Sequence, residues 1–233
     1  MSFHPFSCVL ALLLALLAPL PGVAASGLVI YTIAEDAPAG LPPLLRLFEA
    51  DGWRIAVNRV APDFVHEHEL GGALFRLTQQ AHADGYDKVV LAGRSFGAWI
   101  SLIANSSWST PVEGGRVHAL IALDASVSAE NARIGRRWHD YKFMDVIKTQ
   151  DPTRLAIILF DDDAEAGQMR EDEIRSTIRR PAIPHLVARD ASALAGPGGP
   201  DGEDFARRWG ECLRRLVADA PPSPPSGWCR PSP

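Results

Sequence analysis

Short apolar runs alternate with amphipathic segments along most of the chain. An apolar run of about four to eight residues is typical of a buried strand, and apolar positions three and four residues apart are typical of a helix. Six runs fit the strand pattern: 28–33, 54–60, 87–93, 117–124, 154–163 and 184–190. The segments between and after them fit the helix pattern: 41–52, 65–83, 95–105, a polar aromatic stretch that ends at residue 148, 170–180 and 203–219.

This alternation predicts an α/β fold. Strands that are apolar along their whole length are covered on both faces, as in parallel sheets whose crossover helices lie on either side. Right-handed crossovers then produce a doubly wound, mostly parallel, six-stranded sheet. The sequence contains no internal repeat and no linker between two cores. We therefore predict a single domain over residues 26–220, followed by a proline-rich tail over residues 221–233.

The first 25 residues have the pattern of a secretory signal peptide. An apolar run extends from Cys8 to Leu20, and the small residues Val23 and Ala25 stand at positions −3 and −1 of a cleavage site. The run is too short for a transmembrane helix. We predict cleavage after Ala25 and a periplasmic or secreted protein with no membrane segment after cleavage. An uncleaved anchor is the alternative.

Composition and charge narrow the class of function. The chain of 233 residues is 47% hydrophobic and 22% charged, which is the profile of a globular domain. The formal net charge is −5, and the Lys and Arg residues are scattered. A nucleic-acid interface needs a clustered basic face. We therefore predict no nucleic-acid partner.

The predicted export affects which cysteines remain in the mature protein and whether they can form a disulfide. When Cys8 leaves with the signal peptide, Cys212 on the last predicted helix and Cys229 in the proline-rich tail remain. In an oxidising compartment a disulfide between them would tie the tail to the domain. The alternative is a buried thiol on the helix and a free cysteine in a disordered tail.

The candidate chemistry lies in the segment Gly93–Gly97, with the sequence GRSFG, between the third predicted strand and the next helix. A sharp strand–turn–helix strains its central residue and leaves no room for side chains two positions away, and glycines meet that need. The turn places the Ser95 hydroxyl at the carboxyl edge of the sheet, where open α/β folds bind ligands. The Phe96 N–H then lies at a helix N-terminus, where it can stabilise an oxyanion. Ser95 is therefore a candidate nucleophile.

On this motif, and on the order of strands and helices over residues 27–219, the chain resembles the α/β-hydrolase fold family. The resemblance is strongest to small bacterial members of the dienelactone-hydrolase type. It implies a serine hydrolase that acts on an ester or thioester of a small molecule through Ser95. It also implies a second oxyanion N–H in the loop after the first strand, here at Ala34 or Glu35. We predict no cofactor and no metal ion.

The family pattern further implies an acid after the fifth of these strands and a histidine after the last. Asp163 is the first candidate for the acid and Asp162 the second, while Asp124, at the end of the fourth strand, is an alternative. The histidine of the family's Gly-His-Gly segment has no counterpart. Pro197 stands between two glycines at that place, and no histidine follows His185.

Two other residues are candidates for contact with a substrate. Arg94 precedes the serine and is suited either to an anionic substrate group or to an ion pair with the aspartates at 161–163. His139, in the segment after the fourth strand, is a candidate catalytic or substrate-contacting group.

Three functional hypotheses follow from these residues. The first is a serine hydrolase with a non-standard base. The second is a degenerate, non-catalytic protein of the same fold that binds a small ligand or a partner. The third is a flavodoxin-like binding domain. The absence of a glycine-rich phosphate loop after the first strand argues against this third hypothesis.

Overall fold

Six parallel strands form the centre of the molecule. The computed structural model describes residues 27–37, 40–61, 66–106, 117–125, 143–150, 153–160, 171–178, 183–191 and 199–229. The strands are β1 Gly27–Ala34, β2 Trp53–Val60, β3 Val89–Arg94, β4 Ala119–Leu123, β5 Arg154–Phe160 and β6 His185–Asp190. The described helices are α1 Pro43–Ala50, α2 Glu67–Ala83, α3 Phe96–Ala104, α4 at residues 143–148, α5 Glu171–Thr177 and α6 Glu203–Val217.

The strand order is β2-β1-β3-β4-β5-β6, and every neighbouring pair is parallel. All six predicted strands are present. The central strands are buried along nearly their whole length, which is why their sequences read as continuous apolar runs. The predicted doubly wound α/β fold is therefore confirmed.

Two hydrophobic cores lie on opposite faces of the sheet. Ile30 of β1 points into the core formed with α2 and α3, where Trp99 is buried. Tyr31, the next residue, points into the core formed with α1 and α6, where Phe48 and Phe205 are buried. Successive side chains of a strand point to opposite faces of the sheet, so one face packs against α2 and α3 and the other against α1 and α6.

The segment after α6 folds back onto the domain. A disulfide joins Cys212 of α6 to Cys229, with the two Cα atoms 5.3 Å apart. Trp228 is buried beside it, and the Pro225 carbonyl accepts a hydrogen bond of 3.0 Å from the backbone N–H of His185. Of the two alternatives that the sequence left open for these cysteines, the disulfide is therefore the one present.

Nothing in the structure tests the predicted signal peptide, because residues 1–25 lie outside the described part of the chain. Cleavage after Ala25 therefore remains a prediction. None of the helices in the described segments is both long enough and apolar enough to span a membrane.

Candidate active site

Ser95 occupies the sharp turn between the end of β3 and the start of α3. Its backbone has φ 49° and ψ −124°, a left-handed conformation that a residue with a side chain rarely adopts. Such a conformation costs about 1–3 kcal/mol and persists where the surrounding structure enforces it. Here the Ser95 N–H donates a 3.0 Å hydrogen bond to the Leu123 carbonyl at the end of β4. The turn is therefore strained and tied to the neighbouring strand.

The two glycines of the motif are required by close backbone packing. A Cβ atom on Gly97 would overlap the Thr32 carbonyl of β1, and one on Gly93 would lie 2.5 Å from the Gly97 carbonyl oxygen. The first turn of α3 thus packs directly onto β1 and β3. This packing holds Ser95 at the carboxyl edge of the sheet.

Ser95 lines a pocket of about 810 Å³ at this edge. The other walls come from β1 and the loop that follows it, the start of α1, and the start of α6. Small-molecule sites are typically about 300–1,000 Å³ in volume. The pocket is therefore large enough to receive a small molecule against the serine.

Arg94, Asp201 and Tyr31 form a connected polar group in this pocket. The Arg94 guanidinium pairs with Asp201 Oδ2, and the Tyr31 hydroxyl donates to Asp201 Oδ1 at 3.3 Å. Burial, reinforced by the Asp201 charge, raises the pKa of Tyr31 well above its usual range, so its hydroxyl keeps its proton at neutral pH. The sequence suggested an ion pair of Arg94 with the aspartates at 161–163, which lie outside the described residues; the partner that the structure gives Arg94 is Asp201.

The two candidates for the second oxyanion donor differ in availability. The Glu35 N–H donates a 2.9 Å hydrogen bond to the Val60 carbonyl. Ala34 lines the pocket. The Arg59 guanidinium holds this loop by donating to the carbonyls of Glu35 and Ala37, at 3.1 and 2.8 Å. Of the two candidates, Ala34 is the one that lines the pocket, and Phe96, the candidate for the first donor, is the first residue of α3.

Among the candidate acids, Asp124 is the one that lies in the described part of the chain. It directly follows β4, its side chain is buried, and its backbone has φ 48°. The strand partners Arg94 and Leu123 immediately precede Ser95 and Asp124, so these two residues follow neighbouring strands at the same edge of the sheet. Asp162, Asp163, His139 and Pro197 lie outside the described residues.

No histidine that the structure describes lines the pocket. His118 and His185 lie at the amino ends of β4 and β6, at the opposite edge of the sheet. His66 and His68 lie at the start of α2. Within the same described ranges, no group of three or more potential metal ligands occurs.

The Tyr31–Arg94–Asp201 group was missed by the sequence analysis. Asp201 lies in a Gly/Pro-rich loop where only Pro197 drew attention, and 107 residues separate it from Arg94. One signal was available. Asp201 lies one residue before the N-cap of α6, at the carboxyl edge of the sheet, where ligands bind in open α/β folds.

Two solved structures share this architecture. One is esterase 2 of Thermogutta terrifontis phosphoramylated by tabun, at 16% identity and a TM-score of 0.54, covering 83% of each chain. The other is a candidate thioesterase from Silicibacter sp. TM1040, at 14% identity and a TM-score of 0.52, covering 80% of this chain and 77% of the other. No family model and no curated protein matches the sequence. The chain therefore has an α/β-hydrolase-like fold, as its sequence predicted.

Proposed function

We propose that this protein is a serine hydrolase that cleaves an ester or thioester of a small molecule, with Ser95 as the nucleophile. The observation that carries the proposal is the left-handed backbone of Ser95, φ 49°, at the wall of a pocket of about 810 Å³. Strained non-glycine residues cluster at active sites. The two structural neighbours, described as an esterase and a candidate thioesterase, agree with this class of reaction.

The proposed reaction is a double acyl transfer. The Ser95 Oγ bonds to the substrate carbonyl carbon while its proton passes to a base. The bond to the alcohol or thiol then breaks, and the leaving group departs with that proton. Water hydrolyses the acyl-enzyme to release the acid and restore the serine. The Phe96 N–H and an N–H at Ala34 would stabilise the oxyanion.

The partners of Ser95 in this reaction are proposed from the sequence. Asp163, with Asp162 second, would orient an imidazole and stabilise its cation. His139 is proposed as that imidazole or as a substrate contact. Asp124 is the alternative acid, and its burial at the end of the strand next to β3 supports keeping it as a candidate.

A degenerate, non-catalytic protein is the second candidate function. It is favoured by Pro197 at the place of the family's histidine and by a described pocket surface that contains no imidazole. Removing members of a catalytic triad leaves only about 10³–10⁴-fold acceleration over water, from the oxyanion hole and from binding. Such a protein would bind a small ligand or a partner without turnover.

Labelling with a serine-reactive phosphonate probe, read by intact mass, separates the two functions. An active hydrolase is expected to gain one adduct on Ser95, and the Ser95→Ala protein is expected to gain none. The Ser176→Ala protein is the matched control, because Ser176 is an exposed serine of α5 that does not line the pocket, and this variant should label as the wild type does.

The Pro197→His protein distinguishes a lost base from a wrong assignment. Labelling of Pro197→His alone would mean that the base was lost and that the degenerate function is correct. Absence of labelling in the wild type and in Pro197→His would reject Ser95 as a nucleophile.

A further inference from the structure

We propose that Asp201 is an internal counter-charge that occupies Arg94 and thereby makes the pocket select neutral over anionic substrates. The proposal rests on the proposed function in one respect, since it takes this pocket as the substrate site. It assigns a specificity role to a residue outside the Gly93–Gly97 motif.

The geometry holds both oxygens of the Asp201 carboxylate. Oδ2 pairs with the Arg94 guanidinium, and Oδ1 accepts the Tyr31 hydroxyl at 3.3 Å. These residues come from the end of β3, from β1 and from the entry to α6, so three separate segments meet at this carboxylate. Arg94 directly precedes Ser95, and both residues line the pocket, so the Arg94 charge lies in the same pocket as the proposed reacting centre.

The other charged side chains of the pocket do not supply a net positive charge in place of Arg94 when Arg94 is paired with Asp201. The pocket is lined by three carboxylates, Asp36, Asp201 and Glu203, and by two guanidiniums, Arg46 and Arg94. With Arg94 paired to Asp201, two carboxylates stand against one guanidinium. An anionic group that enters therefore meets an unfavourable field as well as an occupied receptor.

An anionic substrate would have to displace a carboxylate that is tethered in place. A tethered group competes at an effective concentration of about millimolar or above. If Arg94 were free about one tenth of the time, the apparent dissociation constant of an anion would rise about tenfold. The side chains of Arg94 and Asp201 are 25% and 38% exposed, so solvent screens the pair and the effect stays near this size.

The Asp201→Asn substitution removes the negative charge of residue 201 while keeping an acceptor for the Tyr31 hydroxyl. The asparagine Oδ1 can still accept the hydrogen bond from Tyr31, whose burial and consequently raised pKa keep the hydroxyl protonated. The amide Nδ2 is a donor and cannot accept a hydrogen bond from the guanidinium of Arg94. The substitution should release Arg94 while leaving one attachment of the α6 entry loop in place.

The test measures binding to the Ser95→Ala protein, so that no turnover is needed. The probes are dimethyl glutarate, which is neutral, and monomethyl glutarate, which carries one negative charge at neutral pH. Their dissociation constants are measured by calorimetry in the presence and absence of Asp201→Asn. We expect the neutral probe to bind more tightly before the change, and Asp201→Asn to shift the affinity ratio about tenfold toward the anion.

Two further variants test the cause of that shift. Arg94→Gln, added to Asp201→Asn, should abolish the gain in affinity for monomethyl glutarate. Glu203→Gln also removes one negative charge, but at the pocket rim. It should shift the ratio of the affinities for the two glutarate probes less than about twofold, because salt screens the field of the Glu203 charge. An equal shift from Glu203→Gln would overturn the proposal in favour of a general field.

The remaining outcomes are also decisive. An unchanged ratio in Asp201→Asn would reject the proposal, as would failure of that variant to bind monomethyl glutarate at all. If circular dichroism shows Asp201→Asn to be unfolded, Asp201→Ser carries the same expectation. Failure of phosphonate labelling together with the expected shift in binding would reject the hydrolase while retaining Asp201 as the selector of ligand charge.

Discussion

The two ends of α6 are held in different ways. The N-terminal end enters the pocket through Asp201, Gly202 and Glu203, and its N-cap residue Gly202 supplies no side-chain cap. The Asp201 carboxylate, one residue before this N-cap, contacts Arg94 and Tyr31 of the strands, and Arg208 further along the helix pairs with Asp190 of β6. A ligand in the pocket can compete for Arg94 and Tyr31, because both of these partners of Asp201 line the pocket.

The C-terminal end of α6 is bound by a covalent link and by several cations. The Cys212–Cys229 disulfide closes the following segment onto the helix. Arg154 donates to the Leu216 and Ala218 carbonyls, and Lys88 pairs with Asp219. Positive groups at this end satisfy the last carbonyls and oppose the negative end of the helix dipole.

If the pocket is the substrate site, the ligand contacts of α6 lie at its N-terminal end, while the disulfide and the contacts of Arg154 and Lys88 lie toward its C-terminal end. α6 has 15 residues, which corresponds to about 22 Å at about 1.5 Å per residue. Substitutions at one end should therefore leave the property of the other end largely unchanged.

Removing the disulfide should cost the most stability. Closing a loop between residues 17 apart in sequence is expected to contribute about 3 kcal/mol to the free energy of unfolding. We expect the Cys212→Ala/Cys229→Ala protein to lose about that amount in urea denaturation. Wild type measured in reductant should lose a comparable amount, while the double variant should not respond to reductant. Equal losses in stability and in affinity for a pocket ligand would refute the separation.

Relieving the strain at Ser95 should have a smaller effect of opposite sign. Glycine adopts the left-handed conformation without a side-chain clash, so Ser95→Gly is expected to raise the free energy of unfolding by about 1 kcal/mol. The same variant should lose phosphonate labelling, since the nucleophile is gone.

Ser101→Gly is the matched control on the same helix. Ser101 lies inside α3, and its hydroxyl donates to the Gly97 carbonyl at 2.8 Å. Glycine in a helix interior costs about 0.5–1 kcal/mol, so this variant should be destabilised. If both substitutions lower the melting temperature, the strain assigned to Ser95 is wrong.

The smallest effect is expected from the pH dependence at the C-terminal end. His118 Nε2 lies 3.0 Å from the Val217 carbonyl, and burial, with the charges of Arg154 and Lys88, lowers the pKa of His118. The unfolded chain then binds a proton more readily than the folded one, so the contribution of neutral His118 is lost as pH falls through about 6.5.

Melting temperatures at pH 7.5 and 5.5 measure this contribution. The wild type should lose more stability on acidification than His118→Gln, which keeps a donor for the Val217 carbonyl but cannot titrate. The affinity of the pocket for dimethyl glutarate should differ little between the two proteins at either pH. An identical pH response of both proteins would show that His118 does not couple to stability.

Much of the fold was predictable because its signals are local. Continuous apolar runs mark strands that are buried on both faces, and β1 and β4 follow this pattern closely. The spacing of Gly93, Ser95 and Gly97 predicts the strained turn, because close backbone packing excludes side chains at both flanking positions. The predicted export made a Cys212–Cys229 disulfide one of two alternatives, and the close approach of the two residues is seen only in the structure.

The polar contacts of the pocket were not predictable in the same way. The hydrogen bond between Tyr31 and Asp201 joins residues 170 apart, and the pair of Arg94 with Asp201 joins residues 107 apart. No periodic pattern marks such pairs, since an aspartate in a Gly/Pro-rich loop looks like any solvated turn residue.

The sequence by itself determined the parallel sheet, its order of elements and the position of Ser95 at the carboxyl edge. The physical reason is that burial and backbone sterics act over a few neighbouring residues. Only the tertiary structure decided that Arg94 is paired with Asp201 and that the tail returns to α6. These contacts depend on how the crossovers place distant segments at one edge, and that placement leaves no trace in the local sequence.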